Sequence, residues 1–213
     1  MSSIVVSVVG MAGSGKSVVS RVFEANGFFR VRFGDITEQE IKKRGLLLNE
    51  ANERLIRELL REEHGMAAYA ILNQPYIDRA LERSGVVVDG LYSWEEYQFL
   101  KTLYGKNFYL VAVWASPDTR YTRLASRQSR ALTKYEASSR DRSEIENLNI
   151  GGPIAMADFT LSNETTLAQL KLSAQNIVDI IKGTVPFIAL HTLTMVLVAY
   201  IPALSLWLPS MMR

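Results

Sequence analysis

Short apolar segments alternate with longer segments of mixed polarity along most of this chain. Five runs rich in β-branched and aromatic residues are typical of buried strands: residues 4–9, 28–33, 85–89, 108–114 and 158–162. The segments between them place apolar residues at helical spacing, which predicts right-handed βαβ units. The fold class expected from this pattern is α/β, with a five-stranded parallel sheet covered by helices on both faces.

Local helix signals support this division. Asn49 is expected to cap a helix that runs to about Glu63, and Gly65 is expected to end it. Ser116 followed by Pro117 predicts another helix start, with serine as the cap and proline at the first helical position. Both signals fall between predicted strands, as the alternation requires.

The pattern changes after Lys182. From residue 183 to residue 212 there are 30 residues without Asp, Glu, Lys or Arg, and residues 185–208 are almost wholly apolar. A bilayer span needs about 20 such residues. We therefore predict a domain of residues 1–182 and a hydrophobic tail of residues 183–213. For the tail, a membrane anchor, a helix packed on the domain or on a second copy, and a non-native junction are all open.

Composition narrows the function. The 213 residues include 24 basic and 22 acidic ones, a balance that argues against a dedicated nucleic-acid binder. The chain has no cysteine, which excludes a structural zinc site and a cysteine nucleophile. Its two histidines, His64 and His191, lie in no recognisable catalytic motif and are expected to be incidental.

The segment after the first predicted strand carries the most specific motif. Residues 10–17 read Gly-Met-Ala-Gly-Ser-Gly-Lys-Ser and fit G-x-x-x-x-G-K-[ST], the phosphate-binding loop. Such a loop surrounds phosphates with backbone N–H groups at a helix N-terminus. The alternative is a glycine-rich turn with a chance Lys-Ser pair. The predicted nucleotide contacts are Gly10, Gly13, Ser14, Gly15, Lys16, Ser17 and Val18.

Within that loop, two side chains have chemical roles. Lys16 is expected to reach the β- and γ-phosphates of ATP and to act in catalysis, and the Ser17 hydroxyl is expected to ligate Mg²⁺. Asp89 ends an apolar run of three valines and is predicted to hold the same ion, usually through water. The alternative for Asp89 is a capping residue at a strand-to-helix turn.

Asp35 follows the second predicted strand in Phe33-Gly34-Asp35. Ligands of open α/β sheets bind beyond the carboxyl ends of the strands. Asp35 is therefore predicted to orient or deprotonate an acceptor hydroxyl as a catalytic residue. The alternative is that it merely caps the next helix.

A basic stretch follows the predicted helix start at Pro117. It contains Arg120, Arg123, Arg127, Arg130, Lys134, Arg140 and Arg142. Arg120, Arg123 and Arg127 stand at i, i+3 and i+7, which predicts one helix face. Arginine pairs two phosphate oxygens at once, so we predict a phosphate-facing lid with Arg123 and Arg127 as catalytic residues. A solvated basic face and an RNA-binding patch are the alternatives.

Taken in order, these motifs resemble the nucleoside monophosphate kinase superfamily over about residues 4–182. The resemblance is closest to dephospho-CoA kinase-like proteins and to the UPF0200 group, through the loop, Gly34-Asp35, Asp89-Gly90 and the Ala-Asp…Asn segment at 157–163. It implies strand order 2-3-1-4-5 and a lid at approximately residues 127–150. It also implies that Asn163 lies near the nucleotide base.

The sequence departs from that pattern on the acceptor side. Thr37-Glu38 stands where many relatives carry an arginine, and residues 91–94 lack the arginine that relatives often carry after Asp-Gly. Both changes remove cations that would grip an acceptor phosphate. We therefore expect a cytoplasmic, Mg²⁺- and ATP-binding kinase of a small molecule, nucleotide-like or dephospho-CoA-like. The alternative is an NTP-hydrolysing switch tethered to a membrane.

The tail carries a resemblance of its own. Val185-Pro186-Phe187 and residues 200–209 are similar to the last membrane helix of TRAP-type dicarboxylate transporter large permeases. The similarity covers about 30 residues and includes no transport-site element. It implies contact with a membrane through the tail.

Overall fold

The protein is described by a computed structural model that covers residues 4–128, 131–183 and 190. These residues form five strands: β1 (Val5–Val9), β2 (Phe29–Arg32), β3 (Val86–Asp89), β4 (Phe108–Trp114) and β5 (Phe159–Ser162). All strand pairs are parallel, and the order across the sheet is β2-β3-β1-β4-β5. This confirms the predicted α/β class, the five predicted strands and their order.

Helices connect the strands. The described residues contain a short 3-10 helix at Gly105–Asn107 and nine α-helices: α1 (Lys16–Ala25), α2 (Asp35–Lys43), α3 (Glu50–His64), α4 (Ala68–Leu81), α5 (Trp94–Tyr104), α6 (Pro117–Ala125), α7 (Lys134–Leu148), α8 (Gly151–Ala155) and α9 (Leu167–Ile181). The Asn49 side chain caps α3 by accepting from the Asn52 amide at 2.9 Å. Ser116 caps α6, with Pro117 at its first position. Both predicted helix starts are confirmed.

The two faces of the sheet carry different side chains near the carboxyl ends of the strands. Successive side chains of a strand point to opposite faces. Val5 and Val9 belong to a buried core cluster that also holds Phe33, Tyr69 and Leu110, on the side of α2–α5. On the other face, Val8 is paired in register with Asp89. The second face therefore carries an acidic side chain at the carboxyl end of the sheet.

The chain divides into two compact units, Met1–Ala174 and Gln175–Arg213. The first contains the sheet and α1–α8, and α9 contributes residues to both. Apart from residues 183 and 190, the predicted hydrophobic tail lies outside the described residues. Its role as a membrane anchor, its resemblance to a transporter helix and the domain boundary after Lys182 therefore stay predictions. Among the described residues, no helix has the length and apolar character needed to cross a membrane.

Candidate functional site

The loop of residues 10–17 joins β1 directly to α1. Gly13 and Gly15 adopt positive φ angles of 81° and 108°, where a side chain would be strained. A Cβ on Gly15 would also lie 2.5 Å from Asn163 Nδ2, so both conformation and space require glycine there. No side chain of the described residues caps α1. Its N-terminus therefore has the geometry of an anion site.

Lys16 is the first residue of α1, at the end of this loop. Its ammonium group donates to the carbonyl oxygens of Gly10 at 2.5 Å and Met11 at 3.0 Å. Burial lowers its pKa to about 8, while the carboxylates of Glu144 and Asp89 act in the opposite direction. A buried cation that contacts only neutral carbonyls is stabilised when an anion arrives. The residues present thus fit nucleotide phosphates.

Other predicted loop contacts have partners within the loop. The Val18 amide donates to the Gly15 carbonyl at 3.0 Å, and the Ser14 amide donates to the Met11 carbonyl at 3.2 Å. The Ser14 carbonyl accepts from Asn163 at 2.7 Å. These bonds hold the loop in its curled shape. The roles of Gly10, Gly13, Ser14 and Val18 toward a nucleotide remain predictions.

The structure brings Ser17 and Asp89 together. Ser17 Oγ donates to Asp89 Oδ1 at 3.5 Å, although the two residues are 72 positions apart. Asp89 is the last residue of β3 and is buried, and Ser93 rather than Asp89 caps α5, so the capping alternative for Asp89 is wrong. The described residues contain no group of three or more His, Cys, Asp or Glu placed to hold a metal. A hydroxyl and one carboxylate suit Mg²⁺, which completes its shell with phosphates and waters.

Arg30 is a member of this site that sequence reasoning missed. It projects from β2, and its Nε and Nη2 donate to Asp89 Oδ2 at 3.1 and 2.5 Å. The side chains of Arg30 and Asp89 are 12% and 6% exposed. The only signal in the sequence is a pair of arginines, Arg30 and Arg32, inside the otherwise apolar strand pattern of residues 28–33.

Asp35 is the first residue of α2, next to the carboxyl end of β2. It makes no capping hydrogen bond among the described residues, so the capping alternative is wrong here too. Its carboxylate pairs with Arg32 at 2.9 Å and is 43% exposed. Burial raises the pKa of Asp35, partly against the guanidinium of Arg32. An accessible carboxylate with a raised pKa suits a proton acceptor, but that role remains a prediction.

The three arginines predicted to share one helix face lie in different surroundings. α6 ends at Ala125, so Arg127 lies beyond it and is exposed. Arg120 is buried and donates to the Ala12 carbonyl at 3.1 Å and to both oxygens of Asp141. Arg120 therefore joins the loop to α7 rather than facing phosphates, because a side chain inside the core must satisfy its donors there. Arg130 lies outside the described residues.

Arg123 and Asn163 form a second connection to the loop. Arg123 Nη2 donates to the Asn163 backbone carbonyl at 2.9 Å, while the Asn163 side chain holds the Ser14 carbonyl. Arg123 Nη1 is buried and has no hydrogen-bond partner in the described part of the chain. Asn163 thus supports the loop directly, and its predicted place near the base stays a prediction.

The predicted lid region contains α7, which begins with a capping box between Thr133 and Glu136. Arg140 Nε donates to Glu144 Oε1 at 2.8 Å, and both side chains act electrostatically on Lys16 together with Arg127. Glu144 is therefore a further residue near Lys16 that the sequence did not indicate, whereas Arg140 was part of the predicted basic stretch. Their spacing of four along a helix is common on solvated faces and gave no distinct signal.

Glu96, at the start of α5, is fully buried. Its Oε2 accepts from the Tyr92 amide at 2.7 Å, and its own amide donates to Ser93 Oγ at 3.1 Å. Burial raises the pKa of Glu96 to about 7, while the Tyr92 amide and Arg61 act against this. In the sequence, Glu96 is a glutamate three residues after Ser93, the residue that caps α5, and nothing there indicates that its side chain is buried.

We expect this carboxyl to make folding pH-dependent. Between the unfolded pKa of about 4.5 and the folded value of about 7, the folded state holds the proton more tightly. The free energy of unfolding should therefore fall as pH rises through that window, by on the order of 3 kcal/mol. Urea unfolding between pH 4.5 and 8 should show this decline in the parental protein. In Glu96→Gln the decline should be absent. The exposed Glu62→Gln should keep the parental slope; an unchanged slope in Glu96→Gln would contradict the assignment.

The parallel sheet, the glycine loop before α1 and the Ser17–Asp89 contact define a P-loop protein with an α/β domain. Residues 6–147 match the family described as AAA domain. The chain is 36% identical over 176 residues to a UPF0200 protein of Pyrococcus furiosus, a match that covers 81% of this chain and 94% of that protein. The chain belongs to the UPF0200 family and carries an AAA domain, which confirms the UPF0200 part of the predicted resemblance.

Solved structures give the same fold. TT1252 from Thermus thermophilus superimposes with a TM-score of 0.60 at 19% identity, covering 84% of this chain and 97% of that chain. Dephospho-CoA kinase from Campylobacter jejuni superimposes with a TM-score of 0.52 at 16% identity, covering 84% and 98%. At these identities the likeness shows the fold alone. The resemblance of the tail to a transporter helix is not shown by these comparisons.

Proposed function

We propose that this chain is a Mg²⁺- and ATP-dependent kinase that transfers the γ-phosphate to a small molecule. One observation supports the proposal most strongly. The loop lysine, the Ser17 hydroxyl and the Asp89 carboxylate lie at the carboxyl ends of β1 and β3, and Asp35 follows the neighbouring strand β2. These are the groups that phosphoryl transfer uses for positioning and charge stabilisation.

Each residue has a role in this proposal. Lys16 and the loop amides bind the phosphates, and Ser17 with Asp89 would hold Mg²⁺, which supplies charge neutralisation on the β- and γ-oxygens when bound. Asp35 accepts the proton of the acceptor hydroxyl. Arg123, whose Nη1 is buried without a partner among the described residues, and Arg127 stabilise the transferring group.

On the acceptor side, α2–α4 lie between β2 and β3 in the chain. Arg61 Cζ lies 5.4 Å from the Tyr69 ring centroid, and the Tyr69 hydroxyl is 2.5 Å from Thr37 Oγ1. Arg57 acts on Tyr69 from the same helix as Arg61. In our proposal Arg57 and Arg61 take the place of the arginine that many relatives carry where this chain has Thr37-Glu38. They favour an acceptor with negative charge.

A nucleotide-hydrolysing switch without a small-molecule acceptor is the second candidate. The Tyr92 hydroxyl lies 2.6 Å from the position of a Cβ on Gly90 and 3.7 Å from that on Gly34. The tyrosine thus occupies space at the ends of β3 and β2, where an acceptor would approach Asp35. This arrangement favours the switch.

An assay of the purified full chain with Mg²⁺ and ATP separates the two candidates. ADP formation is measured with and without a panel of nucleoside monophosphates, nucleosides and dephospho-CoA. We expect ADP formation to depend on one acceptor class, with the phosphate recovered on it. Acceptor-independent hydrolysis would favour the switch, and absence of nucleotide binding would overturn both candidates.

Replacing Asp89 by asparagine should lower turnover by about 10- to 100-fold and raise the Mg²⁺ concentration needed for half-maximal activity. The amide keeps the shape of the side chain but loses the charge that attracts the ion. The measurement is the Mg²⁺ dependence of ADP formation. Asp78→Asn, on the outward side of α4, is the matched control and should behave as the parental protein. Unchanged Mg²⁺ dependence in Asp89→Asn would contradict the metal role.

A further inference from the structure

The two oxygens of the Asp89 carboxylate have different neighbours. Oδ2 accepts from Arg30 at 3.1 and 2.5 Å, whereas Oδ1 faces the Ser17 hydroxyl at 3.5 Å. A buried carboxylate is costly unless a cation compensates it. Arg30 is that cation. Any divalent ion at Oδ1 must therefore bind beside a guanidinium that already neutralises its ligand.

Arg30 has a second acidic neighbour. Its Nη1 lies 3.6 Å from Glu24 Oε2 on α1, the helix that begins at the phosphate-binding loop. The Glu24 side chain is half exposed, while Arg30 is almost buried. The guanidinium therefore lies between an inner partner at the metal site and an outer partner on the helix that follows the loop.

We propose that Arg30 is a positioning residue that makes metal binding at Asp89 depend on bound nucleotide; this rests on the proposed function. Arg30 orients Asp89 so that Oδ1 faces Ser17, and it cancels the charge that would otherwise attract a lone divalent ion. Nucleotide phosphates add the negative charge that offsets the repulsion from Arg30. Glu24, 3.6 Å from Arg30 Nη1, would keep part of the guanidinium paired if a metal at Oδ1 drew charge from Asp89.

An ion pair that only stabilised the fold would behave differently. Removing Arg30 would then lower stability and leave metal affinity unchanged or reduced. If Arg30 suppresses metal binding, its removal uncovers the Asp89 charge, and affinity for a lone divalent ion rises. A gain of binding therefore separates the two roles.

The test is a Mn²⁺ titration of the full chain without nucleotide, with free Mn²⁺ measured by its paramagnetic resonance signal. We expect Arg30→Gln to bind Mn²⁺ about tenfold more tightly than the parental protein. Arg32→Gln removes the same charge from the same strand, but Arg32 contacts Asp35 and Glu38 instead. That control should stay within about twofold of the parental affinity, because its charge is half exposed and screened.

A second variant keeps the inference testable if Arg30→Gln does not fold. Arg30→Lys keeps the charge but cannot place two N–H groups on Oδ2, so it should show a smaller gain than Arg30→Gln. The gain should disappear when Arg30→Gln is combined with Asp89→Asn. No gain in either variant that folds, or an equal gain in Arg32→Gln, would overturn the inference.

One further arm separates this inference from the proposed function. Mn²⁺ binding is measured with ADP present in the parental protein and in Asp89→Asn. If Asp89→Asn leaves it unchanged, the metal site itself is wrong and both proposals fail. If Asp89→Asn weakens it while Arg30→Gln gains nothing without ADP, only the role of Arg30 is wrong.

Discussion

Replacing Lys16 by alanine is expected to lower ATP turnover by about 10²- to 10³-fold while leaving the free energy of unfolding nearly unchanged. The lysine donates only to two loop carbonyls, and burial lowers its pKa to about 8, so its charge is destabilised in the free protein. Losing those bonds and losing a desolvated charge have opposite effects on stability. Its favourable interaction is with phosphates, which is where the loss should appear.

The measurement pairs ADP formation with urea unfolding. Lys134→Ala is the matched control: Lys134 is exposed at the start of α7 and pairs with Asp118 at 3.5 Å. The control should retain parental turnover and stability. Equal turnover in Lys16→Ala and the parental protein would contradict the phosphate-binding assignment of the loop.

Replacing Arg120 by methionine should destabilise the fold by about 3–5 kcal/mol, because it leaves the Asp141 carboxylate buried without its cation. The pair is bidentate, with contacts of 2.9 and 2.6 Å, and Tyr121 donates to the same carboxylate at 2.9 Å. Arg120 also holds the Ala12 carbonyl inside the phosphate-binding loop. Nucleotide affinity should therefore fall together with stability.

Urea unfolding followed by circular dichroism measures the first effect, and titration with ADP measures the second. Arg142→Gln breaks an exposed pair with Glu146 in the same helix as Asp141, so it should change stability by less than about 1 kcal/mol. A loss in Arg120→Met no larger than in this control would show that the buried pair does not hold the loop and α7 together.

The elements of the fold follow from local pattern. Runs such as residues 85–89 are β-branched and flanked by turn residues, so they form strands wherever they are placed in the sheet. Asn49 and Ser116 cap helices with their own side chains. The loop motif specifies its conformation through Gly13 and Gly15, which adopt positive φ angles. Each of these features depends on residues a few positions apart, and each was predicted.

The site required the tertiary structure. Arg30 meets Asp89 across 59 positions, Arg123 meets Asn163 across 40, and Arg120 meets Asp141 across 21. Spacing along α6 predicted a shared face for its arginines, but it contained no information about which of them the core would bury. Burial also raises the pKa of Glu96, and its place three residues after the capping residue Ser93 could not show this.

By itself, then, the sequence determined the succession of strands and helices along the chain and the phosphate-binding loop. It also determined which acids end β3 and begin α2. Those features rest on side-chain period, glycine conformation and capping, which act within one element. Only the tertiary structure decided which cations pair with two of the buried acids: Arg30 with Asp89 and Arg120 with Asp141. Such pairs depend on desolvation and distance in three dimensions, which no spacing along the chain encodes.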